Sequence, residues 1–315
     1  SYEMEFDGEE FASRGVVLVS VGYRLNVFGF LTHPEITAEN PEAPSNFALM
    51  DQAAAIKWVK RNIANFGGDP QNITIFGQSG GGDAVQFLLV SPKTKGDFQR
   101  AIIQSAGSRM LRYPYYPAFL SHGDTMETAY ALSARLFEMC GVKTLEEARR
   151  LDAATLLEKY NQMKRPMVPV IDGKFITELP NDAFPANRLH DVSLMVTATS
   201  DEFMAGVTGN PKAWVEAHFG HRAEEYWKLV REAAGSDDEE SLRKAADFST
   251  FNVGNRVTAQ VLAKVGRKVY FSEFGPTIPG DSAGAFHSCD LWFEFNTLMR
   301  CWRPFDGHHF DLARK

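Results

Sequence analysis

Short apolar runs of strand type alternate along this chain with longer stretches whose apolar positions recur every three or four residues. Val16 to Tyr23, VVLVSVGY, is near-continuously apolar, as expected of a parallel strand covered on both faces, and Arg24 to Leu31 reads as the loop beyond it. Tyr2 to Ala12 before it is acidic and helical towards its end. Ser45 or Asn46 is placed to cap a helix reaching about Ala64, with Leu49, Ala53, Ile56, Val59 and Ile63 as its core stripe. Phe66-Gly67-Gly68-Asp69-Pro70 stops that helix. A strand over Asn72 to Phe76, a helix over Asp83 to Val90 and a strand over Arg100 to Gln104 follow, the last ending at Ser105-Ala106-Gly107-Ser108.

Beyond Gly107 the alternation loosens. Tyr113-Pro114-Tyr115-Tyr116-Pro117 is an aromatic loop, and helices are expected from about Asp124 to Cys140 and from Leu145 to Gln162. Met167 to Gly173 and Pro180 to Phe184 make a turn-rich return. Val192 to Ala198 resumes the sheet and ends at Thr199-Ser200-Asp201-Glu202. Helices then fill Pro211 to Glu232 and Glu239 to Val265, before a last strand over Lys268 to Phe274. Strands alternating with helices predict an α/β fold, a mostly parallel sheet covered by helices, with ligands at the carboxyl ends of the strands. The expected organisation is a single domain over 1–315: core 1–110, a cap-like helical insertion 111–190, and a core return 191–315.

Composition narrows the partners. With 315 residues, 44% hydrophobic and 23% charged, the chain is long enough for a large core. Its net charge of −7 argues against nucleic acid or an anionic membrane surface. No apolar run has the length needed to span a bilayer. Cys140, Cys289 and Cys301 are too scattered for a disulfide framework or a metal site. Reduced thiols fit a cytoplasmic location, while Ser1-Tyr2 is not a natural start and leaves a removed leader open.

The candidate chemistry sits between the second strand and its helix, at Gly77-Gln78-Ser79-Gly80-Gly81. A turn this sharp needs small residues two before and two after the serine, and it lifts the hydroxyl above the sheet edge at a helix N-terminus. A second G-x-S-x-G, Gly280 to Gly284, lacks the preceding strand and following helix, so Ser282 reads as loop. A serine nucleophile needs a base and an orienting acid. Among eight histidines, His122, His218 and His221 fall in or beside helices, and His33 lies in an early loop. His190 precedes its strand, His308 and His309 read as solvated, and His287 alone follows the carboxyl end of the last strand. The acid is expected at the same edge, where Asp201 and Glu202 are adjacent and spacing does not separate them. The order serine, acid, histidine is that of α/β-hydrolases. This chemistry calls for no cofactor and no metal.

These residues also carry a resemblance. Val21 to Leu25, Asn46 to Gln52, Asn62 to Pro70, Phe76 to Gly81, Gln104 to Gly107, Ser200 to Glu202 and Gly284 to His287 are similar, in order, to blocks of type B carboxylesterases of the cholinesterase-like family. The resemblance implies an α/β-hydrolase fold with helical cap insertions and a small-molecule ester substrate. It implies Ser79 as nucleophile, Glu202 as acid and His287 as base. It further implies Gly80 as an oxyanion donor, Ser105 hydrogen-bonding near the acid, and an Arg24–Asp51 ion pair. Gln78 and Gly80 stand where Glu and Ala are usual, and the cysteines of secreted animal relatives are missing. Relatives carry an upstream strand ending in His-Gly-Gly-Gly, which supplies most of the oxyanion hole and lies between the Val16 and Ile73 strands. That strand and the usual final helix are not in this sequence, so the resemblance implies a fragment incomplete at both ends. Each lost oxyanion donor costs about 10²–10³ in rate. Two rivals use other chemistry: a non-catalytic adhesion or scaffold relative, and a phosphate-binding module using Gly80-Gly81-Gly82, against which Asp83 brings the wrong charge. Which ester is used and the oligomeric state are left open.

Overall fold

The computed structural model describes residues 6–110 and 125–315. The aromatic loop at Tyr113 to Pro117, His122 and the expected helix start at Asp124 lie outside them. Four strands form one parallel sheet in sequence order: β1 (Thr74–Gln78), β2 (Arg100–Gln104), β3 (Ser193–Thr199) and β4 (Val269–Phe274). Gln78 lies opposite Gln104, Gln104 opposite Thr197, and Thr199 opposite Phe274, so all four carboxyl ends share one edge.

The Gly80–Val90 helix is buried on nearly every side, with Phe87 and Leu89 wholly inaccessible. It packs with Ile75, Phe98, Ala101, Ile103, Leu194 and Val196 of the sheet region and with Phe175 and Phe184 of the return segment. Each such side chain contributes about 1.5–3 kcal/mol on burial. This is why an eleven-residue helix with only one charged position is stable here and nowhere near the surface. The helices Met126–Cys140 and Ala153–Asn161 build a separate cluster with Val27, through Leu132, Leu136, Tyr160 and Met163. Among the described residues no helix is long and apolar enough to cross a membrane.

Several expectations are corrected. Residues 16–23 join no strand ladder among the described residues, and Val16, Val17 and Val19 stay exposed. An apolar run becomes a strand only when a neighbouring backbone completes its hydrogen bonds. Here β1 is bonded on its β2 side alone, and no described segment pairs with 16–23. The expected loop 24–31 contains a short helix, Asn26–Phe30, whose Val27 is buried. Asn46 precedes the Phe47–Asn62 helix but makes no capping bond. Its side chain accepts from the Val170 N–H (2.9 Å) and donates to the Val170 carbonyl and to Asp172 (2.8 Å each), clamping the return segment. In the core stripe Leu49, Ala53 and Ile63 are buried, with Ile56 and Val59 packed at the margin.

Three long helices are each divided. Asp152 ends Leu145–Arg149 and caps Ala153–Asn161 by accepting from the Ala154 and Thr155 N–H groups. Gly220, at φ 52°, separates Pro211–Phe219 from Ala223–Ala234. Ser249 caps Thr250–Lys264 after Glu239–Ala246 ends. In each case a residue that hydrogen-bonds its own backbone, or a glycine at positive φ, overrides an apolar period that runs through it.

Candidate active site

β1 ends at Gln78 and the next helix starts at Gly80, leaving Ser79 alone to turn the chain, at φ 55° and ψ −120°. A non-glycine residue held there costs about 1–3 kcal/mol and persists only where its surroundings fix it. The surroundings do so tightly. The Ser79 N–H donates to the Gln104 carbonyl (2.8 Å), and the Ser79 carbonyl accepts from the Asp83 N–H (2.9 Å). A Cβ on Gly77 would stand 2.4 Å from the Gly81 carbonyl carbon, and one on Gly82 would stand 2.6 Å from the Ala106 methyl. The strand and helix therefore touch backbone to backbone. Gly80 instead faces open space, with its N–H in the first helical turn, where no intrahelical acceptor exists.

Glu202 and His287, the candidate acid and base, come from the chain beyond β3 and beyond β4. Glu202 follows β3, is 3% exposed, and accepts from the Thr199 N–H at 3.1 Å. Its other oxygen, Oε2, is hydrogen-bonded to His287 Nδ1. Burial pushes the Glu202 carboxyl up, but the His287 bond, the Ser105 hydroxyl, the imidazole charge and the Thr199 N–H together outweigh it and hold the group below the usual range. Ser105, at φ 48°, closes no well-formed hydrogen bond through its buried hydroxyl, yet lies near enough to favour the carboxylate.

Asp201 takes a different part. Its N–H donates to the Ala285 carbonyl (3.0 Å), and its side chain accepts from the Ala285 N–H (2.9 Å) and the Ser200 hydroxyl (2.7 Å). Asp201 also bridges Phe286 as a one-residue extension of the sheet. Gly284, at φ +66°, permits this approach, since a Cβ there would stand 2.6 Å from the Asp201 carboxylate. Asp201 thus ties down the loop that delivers His287.

The imidazole is enclosed by apolar rings. Phe203 and Phe251 lie 4.5 Å and 5.3 Å from it, centroid to centroid. Its second nitrogen, Nε2, is 3.1 Å from Gln78 Nε2. No hydrogen bond joins it to Ser79 Oγ among the described residues. Ser79, Glu202 and His287 therefore all follow carboxyl ends of strands on one sheet edge, with Glu202 bonded to His287 and Gln78 beside Nε2. Gln78, which stands where Glu is usual in the family resembled, is the last residue of β1 and so sits beside the serine.

A buried group was missed in the sequence. Asp290 and Glu294, on the Asp290–Glu294 helix just after His287, are pushed up mainly by burial, Asp290 to about 6 with Glu202 adding to it. Gln104 donates to Glu294 at 2.7 Å. Asp290 opens its helix three residues after His287, beyond a turn with Ser288 at φ 74°, so no helical spacing signals the pair.

The other expected residues lie apart. His190 is buried and bonded to Thr94, His33 stacks on Phe137, and His218 stacks on Trp214. His309 is not solvated as expected, because it pairs with Asp306 and bonds the Thr277 carbonyl. Ser282 is exposed in a turn beside Asp281, which pairs with Arg303. Arg24 and Asp51 form the implied ion pair through two contacts of 2.8 and 2.7 Å.

Known proteins are similar to this chain in sequence and in fold. A sequence profile described as "Carboxylesterase family" matches residues 1–306. The fumonisin B1 esterase of Sphingopyxis macrogoltabida is 32% identical over 82% of this chain and 48% of its own length. The para-nitrobenzyl esterase of Bacillus subtilis (strain 168) is 35% identical over 62% of this chain and 40% of its own. The chain thus spans about half the length of the curated relatives it matches. Among solved structures, a Geobacillus stearothermophilus carboxylesterase superposes with a TM-score of 0.72 at 28% identity, covering 99% of this chain and 69% of that one. A PNB esterase does so with 0.72 at 26% identity, covering 98% and 64%.

Proposed function

Because this chain belongs to the carboxylesterase family, with its α/β-hydrolase fold, we propose that it hydrolyses small-molecule carboxylic esters through an acyl-serine intermediate. In this reading Ser79 is the nucleophile, His287 the general base and acid, and Glu202 the orienting acid. The observation that carries it is the buried Glu202 bonded to His287 Nδ1, with the strained Ser79 on the same sheet edge. A carboxylate on Nδ1 fixes the proton there and leaves the Nε2 lone pair for the serine.

The steps follow from that arrangement. The Ser79 side chain turns to Nε2 as Gln78 yields. Oγ attacks the carbonyl carbon while its proton passes to Nε2, and Glu202 stabilises the imidazolium. The Gly80 N–H donates to the developing oxyanion. Collapse breaks the bond to the alcohol oxygen, which takes the proton from Nε2. Water then attacks the acyl-enzyme, giving its proton to Nε2, and the acid leaves with Ser79 restored. The division into core 1–110, insertion 111–190 and core return 191–315 belongs to the same proposal.

A fluorophosphonate probe tests the assignment directly. The expected result is one labelled site, lost in Ser79→Ala and strongly slowed in His287→Gln. Undiminished labelling of Ser79→Ala refutes it.

A further inference from the structure

The His287 ring has two nitrogens, and the structure accounts for both. Nδ1 faces the Glu202 carboxylate, which only accepts, so the proton of a neutral ring sits on Nδ1. Nε2 is then a bare lone pair, and the group 3.1 Å from it is the Gln78 carboxamide nitrogen, which only donates. The two assignments agree: a donor meets an acceptor at each end. Gln78 is the last residue of β1, and its backbone is held in the ladder opposite Gln104. Its side chain is therefore delivered to His287 by the same strand that delivers Ser79.

We propose that Gln78 is a positioning residue for His287, whose carboxamide N–H holds the Nε2 lone pair and keeps the ring neutral with its proton on Nδ1. It rests on the reading of His287 as the base. The lone pair takes one strong bond at a time, so Gln78 and Ser79 alternate on it.

Two charged groups act on the ring: Glu202, from the turn after β3, and Asp290, from the Asp290–Glu294 helix. From the Thr250–Lys264 helix comes only the Phe251 ring, and beside Glu202 comes the Phe203 ring. All of these stay unchanged when position 78 is altered. A change in ring titration among variants of Gln78 therefore belongs to that side chain.

The experiment compares the chain as given with Gln78→Met and Gln78→Glu. Methionine keeps the length and offers no donor, whereas glutamate presents an acceptor that favours a proton on Nε2. The readout is the 15N-detected pH titration of the His287 ring, assigned by its loss in His287→Gln, which needs no turnover. The expected midpoints rise in the order Gln, Met, Glu. The step to Met is about half a pH unit, and the step to Glu is about one unit or more. The acid limb of fluorophosphonate labelling moves in the same order. A residue that merely packs would lower the labelling plateau and leave the midpoint in place.

Equal midpoints in the three proteins, or a Met midpoint below that of the parent, overturn the proposal. Should Gln78→Met not fold, Gln78→Leu, which likewise offers no donor, takes its place against the parent, because the added charge of Gln78→Glu raises the midpoint in any case. Labelling lost in Ser79→Ala with equal midpoints removes Gln78 alone. Labelling kept in Ser79→Ala removes the nucleophile assignment, while the titration still decides Gln78.

Discussion

Replacing Asp290 by asparagine gains stability relative to the parent as pH rises from acid to neutral. Asp290 is 8% exposed and its Oδ1 has no hydrogen-bond partner. Burial is the main reason its carboxyl ionises at about 6 instead of the ordinary 3.8; backbone N–H groups of Asp290 and Leu291 and the charge of His287 pull it down, and Glu202 pushes it up. A carboxyl raised on folding binds its proton more tightly in the native state. Its contribution is therefore neutral below the unfolded value, turns unfavourable as pH rises through the window between about 4 and 6, and then stays constant. Over that interval the cost reaches about 3 kcal/mol, a substantial part of the 5–15 kcal/mol that holds a domain folded.

Asparagine keeps the shape and the acceptor oxygen while removing the charge. Its NH2 group needs a partner that the site does not visibly supply, which returns about 1–2 kcal/mol of the gain. Urea unfolding of both proteins at pH 4, 5, 6, 7 and 8 gives the difference directly, provided the slopes against denaturant agree. The expected difference rises by about 3 kcal/mol in favour of Asp290→Asn between pH 4 and pH 7, whatever its offset. A difference that is flat across that range refutes the reasoning. Glu202 works with the opposite sign: its lowered value makes its contribution present above the ordinary range and lost in acid, so it does not imitate the Asp290 signal.

Four further outcomes are expected. Gly77→Ala puts a methyl 2.4 Å from backbone, and thermal unfolding will show a loss of at least about 3 kcal/mol or failure to fold, since no flexible side chain can give way. Ser79→Gly removes both the nucleophile and the positive-φ strain, so labelling vanishes while stability rises by about 1 kcal/mol in urea. Glu202→Gln keeps the packing but offers Nδ1 a donor, and the labelling rate is expected to fall about 10³–10⁴-fold. Asp51→Ala removes a forked contact to Arg24 and an acceptor for its N–H, at about 1–2 kcal/mol in urea, because the pair is half-exposed and screened.

Legibility differed from element to element for physical reasons. β2 falls where Arg100 to Gln104 was read, and the elbow helix begins three residues before Asp83 because its glycines are helical despite their low propensity. Glycine was needed there for contact, and a propensity scale does not know that. The Val16 run has a strand's composition and no partner, and pairing is a property of two segments that one segment's pattern does not contain. The long helices at 145–162, 211–232 and 239–265 were read through their breaks because apolar period persists across a cap. His309 was misread because its partners, Asp306 and the Thr277 carbonyl, include one more than thirty residues away.

The two adjacent carboxylates show most clearly what spacing alone leaves undecided. Asp201 and Glu202 follow the same strand after a turn at Ser200, and their side chains diverge. One side is the loop 284–286 and the other is the imidazole ring. Asp201 meets the first with one backbone bond and one side-chain bond, and Glu202 meets the second while buried to 3% exposure. The bridge from Asp201 to Phe286 and its bond from the Ala285 N–H commit Asp201 to the loop, so of the two adjacent carboxylates it is Glu202 that reaches His287.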